Sequence, residues 1–72
     1  RRGEVFEHIL SYTENELRLV HNAYLEAYFQ SSKKTLAELI RGEWIWTPGE
    51  YFSKVLANKN EILSRLRAIG AA

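Results

Sequence analysis

Chemistry in this sequence would have to start from its two histidines. His8 and His21 stand thirteen residues apart. On one continuous helix that spacing turns them about 140° away from each other, so one ion could not reach both. Glu4 and His8 are four apart and share a helix face, which makes two ligands at most. A catalytic zinc normally takes three protein ligands, and there is no cysteine to add a thiolate. His8 is therefore expected in solvent. His21 is expected at the border of an apolar face, with its ring nitrogen hydrogen-bonded. Ser11, Ser31, Ser32, Ser53 and Ser64 all read as helix or cap positions, with no Gly-x-Ser-x-Gly turn to expose one as a nucleophile. Glu4 with Glu7, and Glu14 with Glu16, fall on solvent faces where nothing raises a carboxyl toward general-acid use. The glycines, at 3, 42, 49 and 70, are too scattered for a phosphate loop. These residues point away from an enzyme, and no metal, cofactor or small-molecule substrate is expected.

Binding is the more promising chemistry. Trp44-Ile45-Trp46 is the most unusual local feature. In an extended linker the two indoles share one side and Ile45 opposes them. They either cap the end of a bundle or anchor a partner, since tryptophan is enriched at binding hot spots. Tyr12 and Tyr51 read as rim positions, large in contact area and polar at the tip. Near the front, Val5, Phe6 and Ile9 form an apolar face with no obvious neighbour. The expected partner-binding set is thus Trp44, Trp46, Tyr51, Tyr12, Val5, Phe6 and Ile9.

A second set is basic. Net charge is +1 overall but unevenly spread. Residues 1–32 set three arginines against five glutamates, a net −2, and residues 33–72 set seven cations against four glutamates, a net +3. If the last segment breaks near residues 57–59, two short helices joined by a turn result, as in a helix-turn-helix. Lys54, Lys59, Asn60, Ser64, Arg65 and Arg67 would then face a duplex. Leu36–Glu43 (LAELIRGE) resembles the stretch before the reading helices of the Trp repressor family, over those eight residues alone. The downstream spacing departs from that family and its turn glycine is missing, so no residue role carries over. The plainer reading of the basic residues is the solvated face of an amphipathic helix.

What positions these residues is a set of helices with marked ends. Thr13-Glu14-Asn15-Glu16 is a capping box. Leu17, Val20, Tyr24 and Tyr28 follow at helical spacing, which predicts a helix over about 14–30. Ser31 and Ser32, or Thr35-x-x-Glu38, start a short helix over about 33–41, and Gly42 stands where a positive-φ stop belongs. Thr47-Pro48-Gly49-Glu50 offers a hydroxyl cap, proline at the first position and glutamate at the third. The apolar stripe after it runs from Phe52 to Ile69 without losing phase. That favours one helix over about 48–68, stopped by Gly70, above a break at Asn58–Asn60. A first short helix spans about 3–11.

The expected fold is all-α: one domain over residues 1–72, a small bundle of two long and two short helices. The long pair should pack antiparallel or cross steeply, with the short helices closing the ends. The expected core is Phe6, Leu10, Leu17, Val20, Tyr24, Leu25, Tyr28, Leu36, Leu39, Ile40, Phe52, Val55, Leu56, Ile62, Leu63 and Leu66. A chain of 72 residues buries only about 60% of the surface it exposes when unfolded, which leaves apolar burial nearly balanced by ordering entropy.

Arginines at the first two positions oppose the helix dipole, and the sequence reads as a piece of a longer protein. The apolar runs are too short to span a membrane, and the absence of cysteine suits a cytoplasmic setting. The expected function is a non-enzymatic module for protein–protein interaction or self-association in a larger regulatory protein, with a homo-oligomer as the natural partner. The alternative is a DNA-binding regulatory domain using residues 48–69.

Overall fold

The computed structural model of the chain describes residues 2–43, 49 and 51–71. Four helices follow one another: α1 (Arg2–Leu10), α2 (Glu14–Ser32), α3 (Leu36–Arg41) and α4 (Tyr51–Ala68). No strand occurs among the described residues, and the all-α bundle is as expected.

Local chemistry explains where two of the four helices begin. The Thr13 hydroxyl accepts from the Glu16 amide at 3.1 Å, and the Thr13 amide donates to the Glu16 carboxylate at 2.8 Å. Thr35 and Glu38 repeat the same exchange at 3.2 and 3.1 Å. Each box satisfies two amides that the first helical turn leaves without partners. The second box sets the start of α3, so Ser31 and Ser32 belong to the end of α2. Their hydroxyls donate back to the Tyr28 carbonyl. Of the third cap signal, Thr47, Pro48 and Glu50 lie outside the described residues. Gly49 has φ +67°.

Helix ends depart from expectation at two places. Gly42 is right-handed at φ −80°, ψ −5°, with its amide donating to the Glu38 carbonyl. The left-handed stop lies at Lys33, φ 59°, ψ 23°, whose amide donates to the Phe29 carbonyl. Gly70, with φ +78°, does end α4. The Gly70 amide donates to Arg67 and the Ala71 amide to Leu66. This is a Schellman closure, which brings the residue after the glycine down onto the helix. Ala71 is buried for that reason, against Leu66.

Packing runs through α4. Val55, Ile62 and Leu66 are its buried row, with Ile62 and Leu66 fully enclosed. Gly3 lies close to Tyr51 and Val55, and Arg65 reaches the carbonyl of Leu10, so α1 runs alongside α4 in the same direction. α3 runs the opposite way. Its cap, Thr35 to Glu38, faces Gly70 and Ala71, while Lys59 reaches Glu43 just beyond its other end. α2 meets the others near the C-terminal end of α4, where His21 and Leu25 face Ala37 and Ala71. The two long helices are therefore not the principal pair. α4 packs most extensively on α1, then on α3, and α2 is held mainly by α3.

That arrangement revises the core. Phe6, Leu17, Leu36, Ile40, Val55, Ile62 and Leu66 are buried as expected, and Ala37 and Ala71 join them. Leu10, Val20, Tyr24 and Leu63 pack against its edge, and Leu25 is half-buried. Tyr28, Leu39, Phe52 and Leu56 are exposed instead. Tyr28 lies beyond the covered part of α2, whereas Leu39, Phe52 and Leu56 stand beside the buried faces of α3 and α4.

Candidate functional site

α2 carries its core contacts in its first half. Leu17 is buried, and Val20 and Tyr24 pack against the core. From Glu26 to Lys34 every residue is exposed. The helical part of this stretch, residues 26–32, spans about 10 Å and projects from the bundle. Tyr28 and Phe29 sit on it at 57% and 41% exposure. They differ by 100° around the axis and together make this stretch aromatic over a wide arc. The Tyr24 and Tyr28 rings meet at 5.3 Å and 43°, their contact across one turn. Glu26 lies one turn before Phe29 and has no ion-pair partner among the described residues.

A second exposed feature lies on α4. Beside the buried row of Val55, Ile62 and Leu66 runs another row at the same spacing: Phe52, Leu56 and Leu63. Phe52 and Leu56 are exposed, and Leu63 is half-buried. Lys59 and Arg67 fall in the same row, which places cations along the apolar strip. The two helices differ in net charge, although the exposed stretch 26–34 itself sets Glu26 against Lys33 and Lys34. α2 has three glutamates against one arginine, a net −2, and α4 has four cations against Glu61, a net +3.

The expected partner-binding residues are not brought together. Phe6 is buried at 3% exposure, and Ile9 packs against the core, because α4 covers the face they share. Phe6 is therefore closed to a partner, and Ile9 is half-buried. Val5 stays exposed on the far side of α1. Tyr12 is half-buried against the core, and its ring meets that of His8 edge-on at 5.2 Å. Tyr51 is exposed at the start of α4, with the Lys54 ammonium 6.0 Å from its ring centre. Trp44 and Trp46 lie outside the described residues.

The residues of the basic alternative have other employment. Residues 57–60 continue α4 without a break, so the turn that a helix-turn-helix requires is absent. Arg65 donates through Nη1 to the Leu10 carbonyl at 2.9 Å and through Nε to Glu61 at 3.0 Å. It thereby caps the C-terminal end of α1, whose last carbonyls have no partner within the helix. Lys59 donates from Nζ to the Glu43 carbonyl at 3.0 Å. Lys54, Asn60, Ser64 and Arg67 are exposed. Two of the cations a duplex would need thus hold the bundle together.

A groove of about 470 Å³ opens where α2, α3 and the C-terminal turn meet, lined by His21, Leu25, Ala37, Glu38, Arg41 and Ala71, among others. His21 Nδ1 is buried there and has no hydrogen-bond partner among the described residues, contrary to expectation. Thr35 and Glu38, which line the same groove, are hydrogen-bonded to each other. The amide and hydroxyl of Thr35 hold the Glu38 carboxyl below the usual range, helped by the charges of Arg41 and Lys34. Among the described residues no group of three histidines or carboxylates gathers to hold a metal ion. No described helix is long and apolar enough to cross a membrane.

The polar run Gln30-Ser31-Ser32-Lys33-Lys34 was the available signal that α2 outruns its core. No known protein family, curated protein or solved structure matches the chain.

Proposed function

We propose that this chain is a non-enzymatic self-association module, a small helical unit whose fold is completed by a second protein surface. The observation that carries this reading is the outer half of α2: two helical turns with every residue exposed and two aromatic side chains on them. Short helices in water are marginal, and most helical stability in proteins comes from packing one face. A helical segment with no face packed is supported only by its connection to the rest of α2.

The dimensions agree with this reading. The radius of gyration is 12.3 Å, against about 11 Å for a compact chain of this length. The accessible surface is 5124 Å², against about 4,600 Å² for a folded monomer of this mass. Association covers that excess and links stability to protein concentration. The test is sedimentation equilibrium together with thermal melting over a hundredfold concentration range. The expected result is a dimer or higher oligomer whose melting temperature rises with concentration. A monomer throughout, with constant melting, contradicts the proposal.

A further inference from the structure

We infer that α2 docks on α2 of a second copy of this chain, antiparallel and about a two-fold axis, through the face that it turns away from its own core. This inference rests on the self-association reading and specifies its geometry. Three observations carry it.

The first is a continuous row. Asn15, Leu19, Asn22, Glu26, Phe29 and Lys33 follow one another at alternating steps of four and three, the spacing of a seam between two packed helices. All six are exposed, Leu19 at 68%. Phe29 lies about 120° around the axis from buried Leu17, so its row is distinct from the core row that Tyr28 continues. The second is pairing. An antiparallel copy centred level with Tyr24 sets Leu19 opposite Phe29, Asn22 opposite Glu26 and Asn15 opposite Lys33, each twice. The two large apolar residues of the row meet, and the Asn22 amide can donate to the Glu26 carboxylate. The exposed residues 26–32 then lie along residues 16–22 of the copy. The third is charge. α2 opens on Glu14 and Glu16, and Lys33 and Lys34 close it. Antiparallel docking lays each end on the opposite charge and opposes the helix dipoles. Parallel docking would set Glu26 on Glu26 and Lys33 on Lys33, and like-charge contact suppresses it. The seam is about 27 Å long with two apolar pairs, which places the dimer at the weak, reversible end of specific interfaces.

The chain has no cysteine, so the register can be read by placing one on each copy. Leu19→Cys and Phe29→Cys chains are mixed in equal amounts in a glutathione redox buffer. In the proposed dimer one Leu19–Phe29 pair is kept and the other becomes two thiols close enough to bridge. Like positions lie about 15 Å apart along the axis. The mixed disulfide dimer is expected to exceed its statistical share over the like-linked dimers by about fivefold or more. Charge gives a second readout, by sedimentation equilibrium at low salt. Glu14→Lys and Lys34→Glu each set like charges at both ends of the seam and are expected to weaken dimerisation about fivefold. The double variant carries the pair reversed and is expected to return to within about twofold of the original. Disulfides in statistical proportion, or a double variant no tighter than the singles, overturn this docking and leave self-association standing. A wild-type chain that is monomeric at every concentration overturns both.

Discussion

The two halves of α2 make an instructive contrast. Both lie on one unbroken helix, and both carry large apolar residues at helical spacing. The first half has a capping box and places Leu17, Val20 and Tyr24 in or against the core. The second half ends on a left-handed lysine and places Tyr28 and Phe29 in solvent. Periodicity and capping specify that a helix forms; neither specifies what covers it. Coverage depends on where the other helices stop. α3 and the turn after α4 face α2 at His21 and Leu25, and every residue of α2 from Glu26 on is exposed.

The contrast breaks most visibly at the centre of the bundle. Ile62→Ala should cost about 2–5 kcal/mol, through lost burial and a residual cavity, as should Leu66→Ala. In a domain this small either change is expected to leave much of the population unfolded, seen as lost helical signal in urea titration. Tyr28→Ala and Phe29→Ala, on the projecting turns, should shift the stability of the dilute chain by no more than about 0.5 kcal/mol. If those two cost as much as Ile62→Ala at high dilution, the outer half of α2 is packed and the contrast is void.

Smaller effects sharpen it. Thr13→Ala removes the cap that starts α2 and should cost about 1 kcal/mol, measured by chemical denaturation. Lys33→Gly acts at the other end of the same helix. It relieves a left-handed lysine and should stabilise by somewhat under 1 kcal/mol, visible as a higher urea midpoint. A cost there would mean the lysine side chain has a role that backbone geometry does not account for.

The smallest effect is a pH dependence. The Glu38 carboxyl is held below its ordinary value of 4.5 by its hydrogen bonds to Thr35. A carboxyl lowered in the fold stabilises it above the unfolded value and loses that contribution as pH falls through the folded one. The start of α3 should therefore fray below about pH 4.5, reported by the Thr35 and Glu38 amide resonances. Glu38→Gln preserves the box, because glutamine can fill the same position, and should flatten this dependence. An unchanged acid response in that variant would assign it to another carboxyl.

Much of the fold was legible in the sequence because caps and periodicity are local. Thr13 with Glu16, and Thr35 with Glu38, mark the starts of α2 and α3 from four residues each. The unbroken phase from Phe52 to Ile69 foretold that Asn58 and Asn60 would not break α4. Pairing was not legible, because amphipathic stripes state that a face wants cover without naming the cover. Phe6 and Ile9 read as an orphan face and are covered by α4, whereas Phe52 and Leu56 read as core and lie in solvent. Arg65 read as a phosphate contact, and its actual acceptor, the Leu10 carbonyl, is fifty-five residues away in sequence. Ala71 could have been anticipated, since a glycine stop followed by a small apolar residue is the pattern of a Schellman closure.

Amide hydrogen exchange across residues 26–32, followed in a dilute and a concentrated sample, tests most directly whether another molecule covers the outer half of α2. The account predicts exchange close to that of a free peptide in the dilute sample, and protection that grows with concentration while the amides around Ile62 stay slow in both. Equal exchange of residues 26–32 in the two samples would contradict it.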